Sequence, residues 1–277
     1  FEFLIDEVDA DFYFFEHDER ETIVLDDRSV DHPLVARVPL RPPTPDPLRD
    51  EEIWEFRRER RVLPREVVLH DYEYRTPAVD LSATAPVAED GFGRIEEYGE
   101  HYSTPEEGRV LAELRAQELR CREVTGIGRG NSRSIRPGWR VDIDDAEWLV
   151  SRVRHRGSQS IAAEGISGEH ARYENEFSAQ PADRDFRPER RTPRPRVSGA
   201  LTGRIEADEI DEQGRYRVRL PFGGTHFIRL AEPYAGRDHG LHFPLRTGTE
   251  VVLEHVNGDP DRPYIAGAVP NPETRSP

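Results

Sequence analysis

Short segments with a period-two hydrophobic pattern constrain the fold of this chain more than any other feature. The clearest covers residues 215–220, where arginine alternates with Tyr216, Val218 and Leu220. Successive side chains of a β-strand point to opposite faces of the sheet, so this pattern predicts a strand with one apolar and one charged face. A chain built from such segments is expected to fold as a mainly β protein.

Five short strands are predicted in the last third of the chain, with no long helix between them. They cover residues 201–207, 215–221, 226–231, 250–256 and 263–269. The Asn-Gly-Asp-Pro sequence at 257–260 is a strong turn before the last strand. Five short strands within about 70 residues predict a small closed barrel of the OB-fold type.

The first 180 residues are also predicted to be mostly β. Residues 12–15 and 21–25 have the pattern of a hairpin, with a polar turn at 16–20. The proline-rich residues 42–47 predict an extended connector, and the Gly/Ser/Ala-rich residues 157–168 predict a loop. Further strands are predicted at residues 67–69, 72–74, 80–85, 140–143, 147–153 and 172–177.

One helix is predicted, at residues 105–122. Thr104 is a suitable N-cap, Pro105 fits the first helical position, and two glutamates follow in the first turn. The helix is expected to be stopped by three glycines, Gly126, Gly128 and Gly130. Their spacing is not interpreted as a phosphate loop, because a phosphate loop follows a strand and opens a helix.

A stiff segment rich in proline and arginine divides the chain near residue 190. The predicted organisation is therefore a β region, a linker, a barrel and a tail, at residues 1–180, 181–198, 199–270 and 271–277.

The charge and composition exclude several functions. The chain has 55 acidic residues against 39 basic ones, all arginine, for a net charge of −16. An acidic chain repels phosphate, so nucleic acid is a poor partner. No apolar run approaches the roughly 20 residues of a membrane span, and no signal peptide is recognisable. A single cysteine, Cys121, excludes internal disulfides and multi-cysteine metal sites.

No catalytic, cofactor-binding or metal-binding residue is predicted, and no cofactor is expected. The sequence contains neither H-E-x-x-H nor G-x-S-x-G. Cys121 at a helix end is interpreted as a structural thiol, because the helix dipole disfavours thiolate there. The other candidates are interpreted as surface, turn or solvated residues: His239, His242 and His255, Ser132 and Ser158, and the pairs Asp26-Asp27, Asp144-Asp145 and Asp208-Glu209.

The barrel sequence resembles the VgrG family, the spike proteins of type VI secretion systems. The resemblance is carried by GLHFPLRTGTEV at 240–251 and NGDPDRPYIAG at 257–267. Supporting matches lie at residues 12–17, at 70–77, in the predicted helix and in the linker. The resemblance covers nearly the whole chain and implies a phage tail-hub-like β region followed by an OB-fold.

The resemblance further implies a structural, non-enzymatic role. VgrG-like proteins form homotrimers that cap the inner tube of a contractile machine and carry a tip or effector. The implied partners are further copies of the chain, an Hcp-like tube protein, baseplate proteins and a PAAR tip or effector. Such a chain is expected to assemble in the bacterial cytoplasm and to be exported by contraction. The first hub barrel and the β-helical needle of the family are expected to be absent from this chain.

Other functions stay open at this point. The chain could serve a tailed phage or an extracellular contractile injection system, or it could be a spike-associated or secreted hydrolase. A nucleic-acid-binding OB-fold is a further alternative. Under the leading hypothesis, the arginines of the alternating strand are expected to form an outward face for neighbouring subunits: Arg215, Arg217 and Arg219.

Overall fold

The computed structural model describes residues 11–17, 20–26, 28–29, 32, 34–43, 51–158, 172–237 and 239–274. The chain divides into two compact units, Phe1–Thr192 and Pro193–Pro277. Both are built mainly from strands, as predicted.

The described part of the first unit contains eleven strands and one α-helix. In chain order they are β1 (Asp11–His17), β2 (Arg20–Asp26), β3 (Leu34–Arg37), β4 (Ile53–Arg60), β5 (Glu66–Asp71), β6 (Leu81–Pro86), β7 (Arg94–Tyr98), α1 (Pro105–Cys121), β8 (Val124–Gly130), β9 (Arg140–Ile143), β10 (Ala146–Ser158) and β11 (Arg172–Pro181). Strands β1 and β2 pair as the predicted antiparallel hairpin.

Six strands form the largest sheet of the first unit, in the order β3-β9-β10-β11-β8-β4. All neighbours are antiparallel except β3 and β9, which are parallel. One face buries Trp148, Val150 and Phe177, and the ring of Phe56 packs edge-on against Trp148 at a centroid distance of 4.9 Å. This aromatic cluster is the core of the sheet.

The three glycines expected to stop the helix lie instead in strand β8, so that prediction was wrong. The helix ends at Cys121, before them. A Cβ atom at Gly126 would lie 2.4 Å from the ring of Phe56, and one at Gly128 would lie 2.1 Å from the ring of Phe177. The glycines therefore allow aromatic side chains of the sheet core to lie directly on the β8 backbone.

A second sheet, in the order β6-β5-β7, packs against helix α1. The helix contributes Ala112 and Ala116 to this core, and the sheet contributes Val67 and Leu69. Small residues on the helix face allow it to approach the sheet closely. Residues 72–74 do not form the predicted strand, since β5 already ends at Asp71 and a turn begins at residue 74.

The start of helix α1 is a capping box, as the sequence indicated. The Thr104 hydroxyl accepts the backbone N–H of Glu107, and the Glu107 carboxylate accepts the backbone N–H groups of Ser103 and Thr104. Hydrogen bonds from the N–H and hydroxyl of Ser103, and from the N–H and hydroxyl of Thr104, lower the pKa of Glu107 below its ordinary value of 4.5.

The second unit is a closed five-stranded barrel with a small additional hairpin. Its strands are β12 (Leu201–Ile210), β13 (Arg215–Arg219), β14 (Thr225–Leu230), β15 (Ala235–Gly236), β16 (His239–Gly240), β17 (Glu250–His255) and β18 (Pro263–Ala268). The barrel closes in the order β12-β13-β14-β18-β17, with β14 and β18 parallel. Its core contains Tyr216, Val218, Ile228, Leu253 and Ile265. The predicted five strands and OB-type barrel are confirmed.

The turn predicted before the last barrel strand, at 257–260, is present and is built from local contacts. Asn257 and Gly258 both have positive φ, at 55° and 72°. The Asp259 carboxylate accepts the backbone N–H of Asp261 at 3.0 Å and lies 3.5 Å from Nε of Arg262. These residues set the shape of the turn between β17 and β18.

The predicted hairpin turn, connector and loop lie partly outside the described residues, since 18–19 of the turn are not described. Within the connector at 42–47 only 42–43 are described, and within the loop at 157–168 only 157–158 are described. Residues 157–158 belong to strand β10, so the loop cannot begin where it was predicted. No α-helix in the described part of the chain is long and apolar enough to cross a membrane.

Candidate functional site

The strongest candidate surface lies on the loop between β14 and β17, residues 231–249, which we call the long barrel loop. Three large apolar side chains are exposed there, Tyr234 by 55%, Leu241 by 51% and Phe243 by 65%. Isolated exposed apolar residues are normal, but several on one segment indicate a contact surface. Leu241 and Phe243 belong to the family-like segment 240–251, but the sequence pattern was not interpreted as a contact surface there; large apolar residues in a segment without strand periodicity were a usable signal.

The long barrel loop is attached to the barrel core through Tyr216. The ring of Tyr216 is buried, and its hydroxyl accepts the backbone N–H of Leu245 at 3.2 Å. The His242 ring stacks on Tyr216 with planes 11° apart, and its Nε2 lies 3.3 Å from the same hydroxyl. His242 also forms a hydrogen bond to Glu232 through Nδ1. These contacts fix the loop while its apolar side chains stay exposed.

The structure gives local partners to two of the three histidines considered as metal ligands. His242 is bound to Glu232 and Tyr216, and Nδ1 of His239 lies 2.7 Å from the carbonyl oxygen of Arg237. His239 also contacts the ring of Tyr234 within the β15–β16 hairpin. The side chains of His239 and His242 therefore help to hold the long barrel loop in its conformation.

The arginines of β13 alternate with buried residues as predicted, but each has a carboxylate partner in the barrel. Nε of Arg215 lies 2.7 Å from Asp211, and Nε of Arg217 lies 3.2 Å from Glu206. Arg219 also binds Glu206, and this hydrogen bond holds the pKa of Glu206 below its ordinary value. A neighbouring subunit would have to compete with these pairs, so the apolar loop is the better candidate for a subunit contact.

In the first unit, residues 182–191 lie along helix α1, and we call them the strap. Its arginines bind acceptors on or beside the helix. Nη1 of Arg184 lies 3.3 Å from Glu123, Nε of Arg187 lies 3.0 Å from the amide oxygen of Gln117, and Nη1 of Arg190 lies 2.8 Å from Glu100. Part of the predicted stiff linker is therefore bound to the first unit.

Cys121 lies beneath the strap and is bonded to it on both sides. Its thiol donates to the carbonyl oxygen of Asp185 at 3.4 Å and accepts the N–H of Arg187 at 3.3 Å. Burial raises the pKa of the Cys121 thiol above its ordinary value of 9.0. This environment agrees with the interpretation of Cys121 as a structural thiol.

A buried carboxylate links the same helix to its surroundings. Glu118 is 1% exposed and pairs with Arg115 and Arg122. Arg115 also lies 2.7 Å from Glu97 of β7, and Arg122 lies 3.5 Å from Glu189 of the strap. A buried charge needs such partners, so this network fixes the positions of β7, the helix and the strap together.

Of the serine and carboxylate candidates, Ser132 and Asp208 have structural partners, and Asp144 and Asp145 form a turn. The buried Ser132 donates to Glu51 at 2.7 Å, as does Ser134. Asp144 and Asp145, with φ of 56° and 58°, form the two-residue turn between β9 and β10. Asp208 accepts the N–H and hydroxyl of Thr247. Asp27 lies outside the described residues.

Two family models match the chain, in the order in which the two units follow each other. Residues 8–161 match the phage tail baseplate hub (GPD) family. Residues 201–269 match the type VI secretion system/phage-baseplate injector OB domain. The first match covers more than half of the chain.

Curated relatives include two type VI secretion system spike proteins of Pseudomonas aeruginosa, VgrG1b and VgrG1a. Each is 27% identical to this chain over 294 aligned residues, which cover 96% of the chain. The aligned part is 40% of VgrG1b and 46% of VgrG1a, so the chain spans less than half the length of these relatives. The predicted resemblance to the VgrG family is confirmed.

A solved structure has the same fold. It is the c3393 protein of E. coli, described as a type VI secretion component with structural similarity to the bacteriophage T4 tail proteins gp27 and gp5. The TM-score is 0.56 at 22% identity, over 96% of this chain and 58% of that one. The tail-hub-like β region followed by an OB-fold is therefore confirmed as the architecture.

Proposed function

The chain belongs to the phage tail baseplate hub (GPD) family, and from this premise we propose that it is a homotrimeric hub-and-spike component of a contractile injection machine. In this role it caps an Hcp-like inner tube, contacts baseplate proteins and carries a PAAR tip or an effector. Its spike relatives in Pseudomonas aeruginosa favour a type VI secretion system over a phage or an extracellular particle.

The observation that carries the proposal is the exposed apolar set on the long barrel loop. Tyr234, Leu241 and Phe243 lie on a loop that hydrogen bonds hold to the barrel, yet each is at least half exposed. Burial of apolar surface is the main favourable contribution to protein association. A second copy of the barrel that covers these side chains accounts for their exposure in the single chain.

The proposal includes a structural role without catalysis. It assigns no catalytic, cofactor-binding or metal-binding residue, in keeping with the names of the spike relatives. It also includes assembly in the cytoplasm with export by contraction. The division into a hub-like region (1–180), a linker (181–198), an OB-fold (199–270) and a tail (271–277) belongs to the proposal as well.

The test is the mass of the full chain in solution, measured by light scattering over a range of concentrations. The expected value is three times the chain mass of 31.8 kDa. The double variant Leu241→Ser with Phe243→Ser is expected to shift the mass toward that of a single chain, because it removes apolar contact area. Val110→Ser, at an exposed position of helix α1, is the matched control and keeps the wild-type mass.

The proposed trimer fails if the wild-type chain has the mass of one chain at every concentration. The contact surface alone fails if the double variant dissociates at the same concentration as the wild type. Far-ultraviolet circular dichroism checks that both variants keep their strands.

A further inference from the structure

The strap, residues 182–191, stands apart from the apolar cores of the first unit. It contains no helix or strand, and none of its residues belongs to the cores that the described residues of this unit form. Strand β11 ends directly before it, at Pro181, and is paired on both edges, with β8 and β10. A segment opens locally when the contacts that it alone makes are lost, so opening of the strap does not require β11 or either core to open.

The strap contacts the helix region in reverse chain order. Arg184 binds Glu123 beyond the C-terminal end of α1, and Arg187 binds the helix itself. Arg190, near the end of the strap, binds Glu100 ahead of the N-terminal end of α1. Tension from the C-terminal end of the strap therefore reaches the Arg190 contact first and the others one after another. Contacts that are loaded singly break at a lower force than contacts that are loaded together.

Water reaches the charged side chains of these contacts. The arginines of the Arg184–Glu123 and Arg190–Glu100 pairs are 37% and 21% exposed. Ion pairs in contact with water contribute little net stability and are screened by salt. The strap is therefore held less strongly than strand β11, whose backbone is hydrogen-bonded to two neighbouring strands.

We propose that the strap is a releasable extension of the linker, which detaches from helix α1 under tension and reattaches when the tension ends. This inference rests on the proposed function, because contraction of the injection machine is the source of the tension. Release adds ten residues, 182–191, to the free chain that joins the two units. An extended chain spans about 3.3–3.6 Å per residue, so the free chain lengthens by up to about 35 Å.

Cys121 distinguishes the attached strap from the released one. Its thiol is buried beneath the strap and bonds to the backbone of Asp185 and Arg187. Release breaks both bonds and exposes the sulfur to solvent, so a thiol reagent reaches Cys121 faster in the released form. A carbamidomethyl group on the sulfur would occupy the positions of these two bonds and prevent reattachment.

The experiment stretches single molecules of the full chain in an optical trap. The DNA handles are attached through Arg172→Cys and Ser198→Cys, two exposed positions that flank the strap, while Cys121 stays buried. The pull then acts on β11 along its axis and on the strap, and the barrel is not loaded. We expect a reversible step of about ten residues of contour, roughly 35 Å. A chain held open in iodoacetamide is expected to lose the ability to reattach.

Variants assign the step to the named contacts. Arg187→Ala with Arg190→Ala is expected to raise the release rate at a fixed force by roughly tenfold or more, since it removes two charge-assisted hydrogen bonds. Arg191→Ala is the matched control, because this mostly exposed side chain pairs with Glu189 of the strap itself. Sodium chloride at about 1 M is expected to speed release of the wild type without any substitution.

The outcomes keep this inference separate from the proposal on which it rests. A wild type without a step of about ten residues below the force that unfolds the first unit overturns the inference. A step whose rate neither the double variant nor salt changes overturns it too, and the salt series decides if circular dichroism shows the double variant unfolded. The trap holds one chain, so a chain that stays single in solution overturns the proposed trimer and leaves the releasable strap in place.

Discussion

At the scale of single residues, glycine positions in strand β8 determine how the first unit packs. Gly126 and Gly128 lie beneath the rings of Phe56 and Phe177, which are 6.2 Å apart and nearly parallel. Neither glycine has a positive φ, so their role is space and not backbone conformation. The side chain that is missing from the strand is replaced by an aromatic ring from a neighbouring strand.

Gly128→Ala is therefore expected to destabilise the chain, because its Cβ would overlap the ring of Phe177. Overpacking of a core costs about 1–3 kcal/mol in the free energy of unfolding. Urea unfolding measures this cost. Gly157→Ala is the control, since its Cβ would meet only atoms at 3.7 Å or beyond, and its curve is expected to stay close to the wild type. Equal curves for both variants would contradict the packing role of Gly128.

At the scale of elements, the strap is held to helix α1 by side chains from both. The Arg190–Glu100 pair is partly buried, and the Cys121 thiol bonds to two backbone groups of the strap. The strap also donates the Phe186 N–H to the hydroxyl of Ser29 at 2.6 Å. These contacts make residues 182–191 part of the first unit.

Cys121 reports whether the strap is in place. Its raised pKa keeps the thiol protonated at neutral pH, and since only the thiolate reacts, alkylation by iodoacetamide is expected to be slow and to accelerate as pH rises. Arg190→Ala is expected to speed alkylation severalfold by loosening the strap. Arg191→Ala, at a side chain that is 76% exposed, is the control. An unchanged rate for Arg190→Ala, read by mass spectrometry, would show that this pair does not hold the strap.

At the scale of the whole molecule, charge decides which partners the barrel can accept. The barrel has the OB-type architecture, which in other proteins binds single-stranded nucleic acid through cationic grooves and stacked aromatic rings. Here Arg217 and Arg219 share the carboxylate of Glu206, and Arg215 pairs with Asp211. Each arginine of the stripe is thus paired with a carboxylate within the barrel.

The full chain is accordingly expected not to bind single-stranded DNA, even at low salt. Fluorescence anisotropy of a labelled oligothymidine tests this, with a single-strand-binding OB protein as the positive control. Glu206→Gln frees two arginines and is expected to give weak binding that disappears as salt rises. Salt-sensitive binding by the wild type would favour the nucleic-acid alternative.

Local sequence determined those elements whose signals lie within a few residues. The alternation at 215–220 predicted which side chains of β13 point inward, because successive side chains of a strand point to opposite faces of the sheet. Thr104, Pro105 and Glu107 gave the start of helix α1, because its capping partners are close in sequence. The turn at 257–262 and the family resemblance were likewise readable from contiguous residues.

Tertiary structure alone decided what depends on partners distant in sequence. Gly126 and Gly128 follow a helix and therefore look like a helix stop in the sequence. Only the structure shows that they lie inside strand β8, against the rings of Phe56 and Phe177. The exposure of Tyr234, Leu241 and Phe243 on the long barrel loop also depends on which segments pack against that loop, and their local sequence does not specify this. A strand pattern specifies which faces are apolar, but which segments meet those faces is settled by the packing of the whole unit.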